Sequence, residues 1–84
     1  MRYEKLGDAI EVIVHFATGK VAPIRFLWKG RAHKVKAIQG RWTTVEGQLR
    51  IYHWSVNAEN IGICELAMDG DRLAWRIINV AVDN

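Results

Sequence analysis

The chain is 84 residues long, with half of its residues hydrophobic and a quarter charged, so it reads as one domain over residues 1–84 that buries about 60 to 65% of its unfolded surface. That composition excludes a disordered chain, and the lone Cys64 excludes an internal disulfide. The net charge of +3 hides an asymmetry: residues 1–19 sum to −1, residues 20–54 to +7 and residues 55–84 to −3.

Taken in chain order, the pattern is alternation and short apolar runs, which predicts strands. A first strand over 10–16 puts Ile10, Val12, Val14 and Phe16 on one face, and Ala17-Thr18-Gly19-Lys20 turns the chain. Pro23 is expected at the entry of the second strand, where Ile24, Phe26 and Trp28 alternate with Arg25, Leu27 and Lys29. Lys29-Gly30-Arg31 then closes a hairpin onto a third strand from His33 to about Ile38, with a bulge or bend near Gly40. A short segment over 41–45 and Glu46-Gly47 lead to a strand over 48–56, and residues 57–60 form the next loop. The last two strands, over 61–68 and 72–82, flank Asp69-Gly70, which suits a type I′ hairpin turn. The fold class expected is all-β: five to six antiparallel strands in meander order, as a curled sheet or a small SH3-like or OB-like partly open barrel.

No apolar leader and no long apolar run is present, so neither a secretion signal nor a membrane partner is expected, and cytoplasmic residence is the default. Zinc-finger spacing is absent, and His15, His33 and His53 fall on three different predicted strands, so no metal and no cofactor is expected. Alternation sends Cys64 and Glu65 to opposite faces and makes Cys64 a buried thiol. Because no nucleophile–base pair, paired carboxylates or phosphate-cradling glycine loop can be assembled from spacing alone, the chain does not read as an enzyme.

The segments PIRFLWKGRAHKVKAIQGRW, YHWSV and ICELAMDGDRLAWRI carry a Trp-basic-Gly-Arg hairpin, an RW pair and a final Glu-Leu…Trp-Arg hairpin. On Trp28, Gly30, Arg31, Trp42, Trp54, Glu65, Leu66, Trp75 and Arg76, the chain resembles a small uncharacterised bacterial all-β domain family over roughly residues 22–80. It departs from that pattern at Cys64, where the family usually has Tyr. The resemblance implies a small bacterial domain sometimes associated with proteins similar to Y-family translesion polymerases, and it implies no catalytic residue.

The basic hairpin is the candidate site. Arg25, Lys29, Arg31, Lys34, Lys36 and Arg41 could neutralise backbone phosphates, with Trp42 as the stacking residue beyond the regular strand. The bland reading is that these cations solubilise the outer face of a small sheet, and that Trp28, Trp54 and Trp75 fill a core that has no disulfide. A rival function rests on apolar residues that occur on both faces of several strands, such as Ile13 and Leu27: docking of a protein partner, or homodimer formation.

Overall fold

A computed structural model of the chain describes residues 2–82. Six antiparallel strands follow one another: β1 (Arg2–Ala17), β2 (Lys20–Trp28), β3 (Arg31–Glu46), β4 (Leu49–Ala58), β5 (Gly62–Asp69) and β6 (Trp75–Val82). Each pairs with its successor and β6 returns to β1, so the meander closes into a ring. Two 16-residue strands make closure possible by each serving two sheets. The first half of β1 pairs with β6 and its second half with β2, while β3 pairs with β2 as far as Lys34 and with β4 from Val35 onward.

Bulges bend these long strands. In β1 the register shifts between Lys5 and Asp8, where Gly7 has φ 147°, and in β3 it shifts at Val35/Ala37 and again at Ile38/Gly40, close to the bend the sequence predicts. The Thr18-Gly19 and Lys29-Gly30 turns both place two residues at positive φ, the requirement of a two-residue type I′ connection. One end of the ring stays open, because Lys20–Ile24 of β2 has ladder partners only on β1 and the facing stretch of β3 has them only on β4.

The core is a cluster of Ile10, Phe26, Trp54, Val56, Ala58, Cys64, Leu66 and Ile77. Trp54 is buried and stacks on Trp75 at 4.8 Å between ring centroids, while half-buried Trp28 donates from its indole Nε1 to Asp8 Oδ2 at 2.9 Å. Cys64 and Leu66 point into the core and Glu65 points out, as alternation predicts.

Three local expectations are corrected. The first strand begins at Arg2, far upstream of Ile10, because its early half is an irregular partner of β6 with no clean alternation. Pro23 lies inside β2 and is buried, and Ile24 is the extra residue of a bulge between Arg25 and Pro23, so it leaves the face of Phe26 and is 45% exposed. Asp69-Gly70 does not form a two-residue turn. Instead, Asp69 Oδ1 accepts the backbone N–H groups of Asp71 and Arg72, and its carbonyl accepts that of Leu73. The positive φ falls on Leu73, at 59°.

Candidate functional site

The basic hairpin divides into a head and a tail. At the head, Arg25 lies directly opposite Lys34, Arg31 opposite Trp28, and the Lys29 ammonium sits 4.9 Å from the centroid of the Trp28 ring, a cation–π contact. Lys36 is the extra residue of the first β3 bulge. Farther along β3, Arg41 shares a register position with buried Trp54 and Trp42 shares one with His53, and both Arg41 and Trp42 are exposed. The structure therefore pairs Arg25 with Lys34 on one face, leaves Lys29 and Arg31 at the tip of the hairpin beside Trp28, and sets Arg41 and Trp42 farther along β3, where both line one cleft. Among the described residues the one ion pair is His53 with Glu65, so none of the eight Lys and Arg side chains between Lys20 and Trp54 is matched to a carboxylate.

Arg41 joins a group that sequence reasoning did not assemble. At the open end of the ring, a cleft of about 510 Å³ runs between the β1–β2 turn, the middle of β3, β4 and the β5–β6 loop. Tyr52 and Trp54, two residues apart on β4, form its floor; Lys20 and Arg41 line it together with Trp42, Thr43 and His53, and no carboxylate does. The Trp54 indole is fixed by donating to the Val21 carbonyl at 3.2 Å, which also ties the β1–β2 hairpin to the floor. Phe16 and Leu73 stand at the rim, 69% and 66% exposed. The only sequence signal for this site is the Tyr52–Trp54 pair, whose spacing puts both rings on one face.

On the outer face of the same strands, register builds a polar network. Thr44 Oγ1 and His53 Nε2 lie 2.7 Å apart, His53 Nδ1 and Glu65 Oε2 lie 2.9 Å apart, and Asn79 Nδ2 donates to Glu65 Oε1 at 3.1 Å. An ionised Glu65 only accepts, so His53 Nδ1 donates to it, and in the neutral ring Nε2 accepts from the Thr44 hydroxyl. Diagonal cross-strand neighbours thus place a hydroxyl beside an imidazole that spacing along the chain does not bring together. The network holds the imidazole flat, and Trp42 stacks on it at 5.1 Å with planes 3° apart. Trp42 is exposed, with one face covered by His53.

The remaining histidines and the thiol have structural surroundings. His33 is buried against Phe26 and Trp28, and its Nδ1 lies 3.0 Å from the Glu59 carbonyl, so that nitrogen carries the proton. Among the described residues, no three His, Cys, Asp or Glu side chains converge as metal ligands. Burial pushes the Cys64 thiol from its ordinary 9.0 up to about 12. The unfolded chain therefore loses this proton first as pH rises, and stability linked to Cys64 is intact below 9.0 and falls between 9.0 and about 12. Urea titrations across that window should show a decline that Cys64→Ala removes, and an identical decline in the variant would refute the assignment. No protein-family model matches the chain, and neither a curated protein nor a solved structure does.

Proposed function

We propose that this protein is a binding module for polyanions, with single-stranded nucleic acid as the favoured ligand. The observation that carries the reading is a set of seven Lys and Arg side chains on β2, β3 and their turn, without a carboxylate partner among the described residues, that leads to an aromatic cleft. Cations that served only solubility would gain by interspersed acids, and Arg25 directly opposite Lys34 is a destabilising arrangement until an anion bridges it. Arg25 and Lys34 take the first phosphates together with Lys29 and Arg31 at the hairpin tip. Lys36 and Arg41 continue the track along β3, with Lys34 and Arg41 separated by about 23 Å of strand.

With four phosphates engaged, affinity for a single strand should fall about 50-fold between 50 and 200 mM salt. Lys34→Glu combined with Lys36→Glu should reduce the magnitude of the log–log salt slope by about 1.4 and leave the thermal midpoint nearly unchanged, since both side chains are exposed. Fluorescence anisotropy of a labelled oligonucleotide measures both quantities. Salt-independent binding, or a double variant that binds as well as the parent, would sink the reading.

A second reading has its own observation. Ile13 is 57% exposed on the outer face of β1 beside Leu27 of β2, an apolar strip suited to a protein partner or a second copy of the chain. Association through it would tolerate salt and would be weakened by Ile13→Ala, which adds no charge opposite Arg25 and which the polyanion reading leaves without effect.

A further inference from the structure

We infer that the cleft at the open end of the ring seats one unstacked nucleobase of a bound single strand, with the flanking phosphates on Lys20 and Arg41. This rests on the polyanion reading and adds to it a reason for preferring single strands over duplex.

The walls select the ligand's chemistry. A volume of about 510 Å³ lies within the range of small-ligand sites, about 300 to 1,000 Å³. Tyr52 is the half-buried ring of the floor, and Trp54, 4% exposed, fixes that floor through its bond to Val21 and its stack on Trp75. A cationic guest of the kind taken by aromatic cages is repelled here, because the charged liners are Lys20 and Arg41 and no acid offsets them. A flat ring attached to anionic groups satisfies both the floor and the rim. Bases in a duplex present only their edges and cannot enter.

The rim points the same way. Leu73 is held at φ 59°, a region unfavourable for a branched side chain, and that conformation belongs to the loop that leaves its side chain exposed beside the cleft. Phe16 stands at the tip of the β1–β2 hairpin with most of its surface in water. Neither residue belongs to the core cluster, and a base between them would cover both. The Val21 carbonyl is already used by Trp54, so contact with the base is through its faces, with the Thr43 and Tyr52 hydroxyls that line the cleft available to its edge.

The test compares three probes on the full chain: an oligothymidylate, an abasic sugar–phosphate oligomer of the same length, and a duplex. The oligothymidylate should bind about 10- to 100-fold tighter than the abasic oligomer, the range expected when one base stacks. Phe16→Ala, which removes an exposed ring from the rim, should cut that ratio several-fold while the abasic affinity and the thermal midpoint stay as they are; Leu73→Ala should act in the same direction. Lys34→Glu with Lys36→Glu should weaken both oligomers and preserve the ratio. Equal affinity for the thymidylate and abasic oligomers, or a duplex bound as tightly as the single strand, overturns the cleft proposal and leaves polyanion binding standing. Failure of every probe to bind at low salt overturns both.

Discussion

Phe26→Ala is expected to remove about 3 to 5 kcal/mol of stability, the usual cost of emptying a buried aromatic site. Phe26 is 1% exposed, stands in register with Val12 and His33 across two neighbouring strands, and packs its ring 5.4 Å from that of His33. A domain of this length holds only about 4 to 13 kcal/mol in all. The variant should thus lose roughly a quarter or more of its margin, seen in urea as a lower midpoint at unchanged slope. Ile24→Ala is the informative control. Simple alternation puts Ile24 on the same face as Phe26, whereas the bulge turns it outward, so its truncation should cost less than about 1 kcal/mol. Equal losses for the two variants would show that the register carrying Ile24 as the extra residue is wrong.

Gly70→Val is expected to damage stability and binding together. A Cβ at this position would lie 2.8 Å from the Arg50 carbonyl oxygen and 2.9 Å from Cε2 of the Tyr52 ring, and the backbone oxygen cannot swing aside. The same oxygen accepts the Gly70 N–H at 2.8 Å, so relief of the clash would strain or break that bond. Overpacking of this kind costs about 1 to 3 kcal/mol. Because the ring that must move is the floor of the cleft, the affinity advantage of a base-bearing strand over an abasic one should shrink as well. Gly30→Ala tests the distinction between space and conformation: its Cβ meets nothing within 4 Å, and only its φ of 76° opposes the change. It should therefore destabilise by about 1 to 2 kcal/mol without altering the base preference. A Gly70→Val variant with parental stability and binding would remove the packing argument.

The parts of this fold that were legible in the sequence depend on local chemistry. Gly19 and Gly30 supply the positive φ that their tight turns need at the second position, and the alternation of Cys64, Glu65 and Leu66 needs only a strand. The parts that were not legible depend on register between distant segments. Thr44, His53, Glu65 and Asn79 meet because four strands align diagonally, and no spacing along the chain announces it. Phe16, Lys20, Arg41, Tyr52 and Leu73 surround one cleft for the same reason. Asp69-Gly70 misled in an instructive way: the aspartate side chain organises a longer loop, and the glycine serves close approach to Arg50 instead of a positive φ. Pro23 misled too, since a neighbouring bulge admits proline within a strand.

The pairing of β1 with β6 sets Arg2 beside Val82, at opposite ends of the described chain. Bringing such ends together carries a loop-closure entropy cost of about 4 kcal/mol in its length-dependent part, whereas the β2–β3 hairpin closes over a two-residue turn. Local hairpins can therefore form early and the ring seal last, with the rate-limiting search belonging to the longest-range ladder, as in other slow-folding β topologies. Until that seam closes, the outer edges of β1 and β6 are open to other chains. For this small domain, solubility during synthesis is then a matter of how quickly its first strand finds its last.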